Sequence, residues 1–339
     1  MGARDRHGET GMRLKQLLTV CAIGASLLSQ AGCAGAAPPL ELGGYTDDSG
    51  AITVLHSGES ADPYFAMQAL LLAHENGMDI SAPAEKFANW LVPRQKPDGT
   101  FDRFCRGADK KWVSCKTADA DDSLLAIWMK LLETMPAKLA SNPVWRKSHQ
   151  ASQVALENLY QPSRGVYMVS PVVLHGLFMD NLEVWSLKVH LKQPQQRAAS
   201  DKLARAIHDT FWDPVNKRFL VSTQLEQRSQ KPAFYPDHVA QIFPLLFDFP
   251  LVPGNARQYY RDWMAVHRGE WLIQGQADYP WGLLAVLALR QNDKATAACW
   301  LRQSTPLRHS TRWAVSDEAS YQILLSRGVK AAARDANCK

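Results

Sequence analysis

The sequence predicts an all-α fold: an (α/α)6 barrel of six inner and about six outer helices, with residues 37–339 as one domain. Three observations lead there. Six stretches open on an Asp and continue as nearly unbroken apolar runs of helical length. Between them lie stretches with charged faces and narrow apolar stripes, the pattern of amphipathic helices. The composition, 46% hydrophobic and 21% charged over 339 residues, belongs to a globular chain long enough to bury a large core.

In chain order, residues 1–36 read as an export signal. A basic MRLK from Met12, taken as the start of the signal, leads into LLTVCAIGASLL, an apolar run short for a bilayer span. Gly32-Cys33 has the form of a bacterial lipobox, making Cys33 the lipidation site and its acyl group an anchor to a membrane. Cleavage after Ala34-Gly35-Ala36 is the alternative. Either reading exports the chain, to the periplasm or to the outer membrane as a lipoprotein. Removing residues 1–32 lowers the formal charge from +5 to +3, so no nucleic-acid partner is expected.

Four cysteines then remain. Cys105 and Cys115 bracket the polar loop RGADKKWVS and are placed to close it as a disulfide, leaving Cys299 and Cys338. An even count suits an oxidising compartment, although spacing does not fix connectivity. No CxxC or His-rich spacing points to a metal, and no cofactor is expected.

The apolar runs are DPYFAMQALLLA from Asp62, DDSLLAIWMKLL from Asp121, DNLEVWSLKV from Asp180, DHVAQIFPLLF from Asp237, DYPWGLLAVLAL from Asp278 and DEASYQILLS from Asp317. Their starts are separated by 59, 59, 57, 41 and 39 residues. Such uniformly apolar helices are buried on most sides. The amphipathic partners are SAPAEKFANWLVPRQ, NPVWRKSHQASQVALENLY, QQRAASDKLARAIHDTFW, NARQYYRDWMAVHRG and the shorter DKATAACWLRQS. A sixth would come from a truncated C-terminal ARDANCK. Alternation implies hairpins packed side by side with the buried members inside, and six of them close a ring. An open solenoid would use shorter, more regular repeats.

If the inner helices run parallel, their Asp-bearing starts share one mouth with the long loops. Each Asp can cap its helix by accepting backbone N–H bonds. In TADADD, however, Asp119, Asp121 and Asp122 crowd one terminus, where one cap suffices and surplus like charges raise each other's pKa. Asp122, one residue deeper, is expected to be the cap. Trp112, Tyr235, Trp281 and Trp313 fall near the mouth, whereas Trp128, Trp185, Trp263 and Trp300 sit inside helices and read as packing.

HSGESADPYFAMQALLLA, KTADADDSLLAIWMKLL and YPDHVAQIFPLL resemble stretches of the six-hairpin glycosidase superfamily, with local similarity to glycoside hydrolase family 8. That family has a Ser-Glu-Gly entering the first inner helix, a Thr/Ser-Asp-Ala-Asp entering the second, and a Tyr-Asp-Ala-Ile-Arg-Val-Pro. TFWDPVNKRFL is similar to a tryptophan-containing turn after an outer helix in several relatives. The resemblance implies a saccharide-acting barrel in which Glu59 is the general acid, Asp119 holds the sugar and Asp237 is the base. This chain departs from the pattern with Gly-Glu-Ser, and with Ala240 or Gln241 where the family has Arg.

Glycoside cleavage needs a protonated carboxyl and an ionised carboxylate, about 6.5–9.5 Å apart when stereochemistry inverts. The catalytic candidates are Asp119, Glu59, Asp237 and Asp180. Substrate contacts are expected from Asp121, from Asn181 to a sugar hydroxyl, and from Trp112, Tyr235, Trp281 and Trp313 to sugar faces. Arg103 and Arg106 could meet an acidic sugar. The expected partner is a poly- or oligosaccharide, and the chain is otherwise expected to be a monomer.

Other readings stay open. Asp119–Asp122 also matches the Asp-x-Asp-Asp motif of terpene cyclases, and RQKPDGTF one of their repeats, but export fits such enzymes poorly. A sugar epimerase or lyase would need a His or Tyr pair at the mouth, and His175 and His238 are the imidazoles considered. A saccharide-binding or scaffold lipoprotein without catalysis is the non-enzymatic reading.

Overall fold

Helices with almost no polar face can be buried only against one another, and that requirement organises the chain. The computed structural model describes residues 36–191, 194–226, 231–334 and 337–338, and the residues from Ala37 onward cluster as one unit. Cys33 and the rest of the expected export signal lie outside the described residues. The helices are α1 (Pro63–Glu75), α2 (Ser81–Leu91), α3 (Asp121–Thr134), the single-turn α4 (Ala137–Ala140), α5 (Pro143–Asn158) and α6 (Phe178–His190). They continue with α7 (Pro194–Phe211), the short α8 (Val239–Ile242), α9 (Ala256–Leu272), α10 (Gly282–Arg290), α11 (Lys294–Ser304) and α12 (Val315–Ser326).

The inner ring closes. α1 packs on α3 and α3 on α6, while α6 and α10 both meet the 3-10 turn Phe243–Leu246 that continues α8. α10 then packs on α12, and α12 returns to α1. Outside, α2, α5, α7, α9 and α11 lie against α1, α3, α6, α8 and α10. Burial follows the expected division. α3 buries every residue from Asp122 to Leu132, whereas α5 buries only Trp145, Ser148, Ser152, Ala155 and Leu156, a one-sided stripe. Five tryptophans (Trp128, Trp145, Trp271, Trp300 and Trp313) are among the largest fully buried side chains.

The inner helices run in the same direction. At one end, Tyr64 of α1 donates to Glu183 of α6, and Asp317 of α12 accepts from the Gly282 N–H that opens α10. At the other end, Lys130 near the close of α3 pairs with Glu75 at the end of α1 at 2.6 Å and donates to Ser186 of α6 at 3.2 Å. Arg327, just past α12, donates to the carbonyl of Asn76, just past α1, at 2.5 Å. The N-termini therefore gather at one mouth.

Three details differ from the simplest expectation. The fourth inner element is broken into a π-helical turn Phe234–His238, α8 and the 3-10 turn. It contains Pro236 and Pro244, which lack the N–H a continuous helix needs. Among the described residues no helix follows α12; the segment is tied to α11 by the Ala332 N–H on the Ala298 carbonyl and by the Cys299–Cys338 disulfide. The long loop before α3 folds as two strands, β2 (Asp102–Arg106) and β3 (Trp112–Thr117), which join β1 (Ser60–Ala61) in an antiparallel sheet ordered β1-β2-β3. The Cys105–Cys115 disulfide links β2 to β3, with Cα atoms 5.7 Å apart. Two small hairpins follow outer helices: β4 (Tyr160–Gln161) with β5 (Val166–Tyr167) after α5, and β6 (Trp212–Asp213) with β7 (Arg218–Phe219) after α7.

Asn181 illustrates how these additions are fixed. Its fully buried amide accepts from the Tyr167 N–H at 2.8 Å and donates to the carbonyls of Tyr167 and Leu177 at 3.0 and 2.9 Å. It bolts β5 to the start of α6 and is not available to a sugar hydroxyl. Asn181→Ala would strand a buried N–H and C=O and is expected to destabilise the fold by roughly 2–4 kcal/mol. Denaturant unfolding checks this; a loss below about 0.5 kcal/mol would contradict it.

Candidate active site at the barrel mouth

The Asp residues that open the inner helices have different duties, and the differences define the site. Asp62 is the N-cap of α1, accepting from the Tyr64 N–H at 3.0 Å. Asp317 stands in the first turn of α12 and accepts from the N–H groups of Gly282 and Ala314 at 2.7 and 3.1 Å. Burial pushes its pKa up to about 7 despite those bonds. Asp237 accepts from the Ala233 N–H at 3.0 Å. Asp278 is exposed and precedes its helix, because Pro280 and a left-handed Trp281 delay α10 until Gly282.

Asp122 and Asp180 behave otherwise. Asp122, expected from sequence to cap α3, makes no capping bond; it is fully buried, and neither oxygen receives a well-formed hydrogen bond from an N–H or O–H. Its neighbour is the carboxyl of Asp180 across the α3–α6 seam. Carboxyl groups this close disfavour each other's ionisation. Burial, then the charges of Asp180 and Glu183, holds Asp122 protonated well above the ordinary carboxylate range. Burial and the nearby charge of Asp119 push Asp180 up to about 7, the hydrogen bond from Asp122 opposing. Glu183, one turn deeper on α6, is pushed up to about 8 by burial and by Asp180; Tyr64 and Lys130 oppose. The Tyr64 hydroxyl donates to Glu183 Oε1 at 2.8 Å and accepts from Gln68 at 3.1 Å, while Glu183 Oε2 is buried without a donor.

The rim is set by the β2–β3 hairpin. Arg103 on β2 contacts Asp62 through Nε at 2.8 Å and Asp119 through Nη2. One guanidinium thus fastens the α1 cap to the segment entering α3, leaving the Asp119 side chain largely exposed. Asp121 is half-buried and pushed up to about 6 by burial, with Lys96 opposing and Asp98 and Asp102 adding to the rise. Across the mouth, Tyr235 and Trp281 lie with ring centroids 5.1 Å apart and planes 32° from parallel. Trp281 holds φ 53°, a backbone region costly for a bulky residue. Buried Trp271 donates to the carbonyls of Pro280 and Trp281 and buried Trp300 to that of Pro280, pinning this conformation. Gly282 follows because a Cβ there would stand 2.7 Å from Ser320 and Trp300.

The structure therefore brings Asp119, Asp180, Tyr235 and Trp281 to the mouth. The other candidates have different surroundings. Glu59 is exposed, its ionic partner Lys110 in the hairpin turn at 3.6 Å. Asp237 lines a cavity of about 230 Å³ with Arg218, Gln241, His238 and His267, a lining that includes none of Asp122, Asp180 or Glu183. Trp313 is fully buried and stacks on Trp300, its indole N–H directed at Glu318, so it offers no sugar platform. Trp112 has more to pack against than a polar loop suggested: it donates to Asp47 at 2.7 Å, meets Trp90 edge-on and lies under Arg106. Sequence reasoning missed Glu183 and Tyr64; a charged residue inside DNLEVWSLKV was the available signal for the first.

No protein-family model matches the chain, and no curated protein matches it in sequence. The fold does match solved structures. An alpha-amylase from Clostridium perfringens is 9% identical with TM-score 0.57, the match covering 85% of this chain and 95% of that one. A reducing-end xylose-releasing exo-oligoxylanase is 15% identical with TM-score 0.52, covering 84% and 85%. A GH63 mannosylglycerate hydrolase from Thermus thermophilus is 11% identical with TM-score 0.51, covering 84% and 98%. The architecture is thus an (α/α)6 barrel shared with these structures.

The buried acids set a pH dependence. Asp180 and Glu183 titrate higher in the folded chain than the ordinary 3.9 and 4.3, so the stability they lend is complete below about pH 4. It is lost as pH rises through about 7 and 8. Thermal stability is expected to fall between pH 5 and pH 9. Asp122→Asn, which removes the charge that cannot be solvated, should recover roughly 1–3 kcal/mol at the alkaline end. Parallel melting-temperature profiles for the two proteins would contradict these raised pKa values.

Proposed function

We propose that the chain is an exported glycoside hydrolase that cleaves a poly- or oligosaccharide at the barrel mouth. One observation carries the reading: Asp122, Asp180 and Glu183 converge beside Asp119 without being used as helix caps, and Asp180 is tuned to about 7. A carboxyl poised there can deliver a proton near neutral pH. Asp180 is assigned as general acid, protonating the glycosidic oxygen as the bond to the anomeric carbon breaks. Asp119, ion-paired with Arg103 and open to solvent, accepts a proton from the water that attacks that carbon. Asp122 and Glu183, behind Asp180, keep its proton in place. Tyr235 and Trp281 offer apolar ring surface to the sugar. The three structural neighbours all carry names of saccharide-cleaving enzymes, which favours this class on the shared barrel. Export, with or without a lipid on Cys33, puts the substrate outside the cytoplasm.

Release of reducing ends from α-glucans, xylo-oligosaccharides and mannosylglycerate tests the proposal. Asp180→Asn and Asp119→Asn are each expected to lower turnover about 10²–10⁴-fold with little change in sugar affinity. Glu59→Gln should leave it near wild type, in contrast to what the family 8 resemblance implies. Calorimetric binding of a sugar that no preparation cleaves would favour the non-catalytic reading, and full activity in Asp180→Asn would remove the assigned acid.

A further inference from the structure

A second cluster stands apart from the mouth carboxyls. His267 and Glu270 lie one turn apart on α9 and so share a face. His238 reaches the same point from the π-helical turn ahead of α8. Glu270 Oε2 is 2.9 Å from His238 Nδ1 and 3.5 Å from His267 Nδ1. The three residues can each offer a ligand atom with all of these within 4.8 Å of one another. Around a tetrahedral zinc ion, bonds of about 2.0–2.1 Å place neighbouring ligand atoms about 3.3 Å apart. The two carboxylate–imidazole separations bracket that value.

The ligands are also held from behind. Trp263, one turn before His267, donates its indole N–H to the His238 carbonyl at 2.8 Å, and its ring lies 5.3 Å from the His267 ring. One side chain therefore fixes the backbone of the first imidazole and the face of the second. In front, His238 and His267 line the cavity of about 230 Å³ that also receives Arg218, Asp237 and Gln241. Nε of Arg218 is buried with no hydrogen-bond acceptor. A water or small anion on a metal at this point would share the cavity with that donor.

We propose that His238, His267 and Glu270 form a three-ligand site for a zinc-like divalent cation, with the fourth coordination position open to this cavity. Two imidazoles and a carboxylate suit a borderline cation better than calcium or magnesium, which prefer oxygen ligands. Three protein ligands with one open position is the arrangement of reactive zinc sites, whereas structural sites close all four. The site draws on none of the residues assigned to glycoside cleavage and stands whether or not that assignment holds.

Zinc titration by calorimetry into the chelator-treated full chain tests it, with the visible d–d absorption of the cobalt-substituted protein as a second readout. One equivalent of zinc is expected, with tetrahedral-type cobalt bands. His267→Ala and Glu270→Gln should each weaken zinc about 100-fold or more, since loss even of an outer-shell partner reaches 10–100-fold. Asp180→Asn should bind zinc as the unaltered protein does. Equal affinity in His267→Ala, or no stoichiometric binding tighter than about 10 μM in the unaltered chain, overturns the proposal and leaves the cluster as a histidine–carboxylate hydrogen bond. Should both variants misfold, the cobalt spectrum of the unaltered protein decides: octahedral-type weak bands or none count against the site.

Discussion

The constraint on which the mouth depends is the burial of carboxyl groups at the seam between α3 and α6. These helices are too apolar to face water, and packing them in parallel sets their first turns side by side. Asp122 and Asp180 are then forced together in a place where two charges cannot be solvated. A protein seeking only stability would put an apolar pair or a backbone cap there. Raised pKa values are the outcome once both acids are buried together, and Glu183, with the hydroxyl of Tyr64 on one oxygen, extends the same burial one turn inward.

The opposite end of the barrel is neutralised differently. Lys130 is nearly buried yet meets Glu75 and Ser186, with the face of Phe247 about 5.9 Å away. Its charge also opposes the rise at Glu183. The inner ring thus carries the buried Lys130 near its floor and surplus acid at its mouth. On the α10–α12 side, Asp317 shows what an ordinary structural acid looks like. It is as buried as its counterparts, but each of its oxygens holds a backbone N–H. Burial alone does not separate the two kinds of Asp; the hydrogen-bond partners do.

The barrel was legible because it rests on periodicity, and periodicity survives without knowledge of tertiary contacts. Apolar runs announced the inner helices, and one-sided stripes such as that of α5 announced the outer ones. What failed was the step from chain position to side-chain surroundings. Trp313 and Asn181 sit near the mouth in sequence, yet the first turns inward against Trp300 and Glu318 and the second is taken up by the backbone of β5. The difference between Asp122 and Asp317 could not be read from spacing either, because both stand at the head of a largely apolar helical run. The break at Pro236 and Pro244 was visible in the residues, but a six-fold repeat argued for a whole helix there. The His238–His267–Glu270 cluster was invisible because its first member is 29 positions from the second, and no short motif bridges them.

The mouth residues also bear on what kind of chemistry the barrel can host. An epimerase or lyase there would remove a proton from carbon with a tyrosinate or an imidazole. Tyr235 is pushed up to about 12 by burial and by the charges of Asp180, Asp119 and Glu183, and Tyr64 is pushed well up by burial and by Glu183 and Asp180. Once ionised, these acids make their tyrosine neighbours harder to ionise, so the negative charge around Asp180 disfavours a phenolate there. His238 is engaged with Glu270 and His267 in the other cluster. Among the described residues the mouth brings together a carboxyl raised to about 7, an ion-paired carboxylate on a rim stiffened by the Cys105–Cys115 link, and a tilted pair of aromatic rings. That set is what the proposed addition of water across a glycosidic bond draws on.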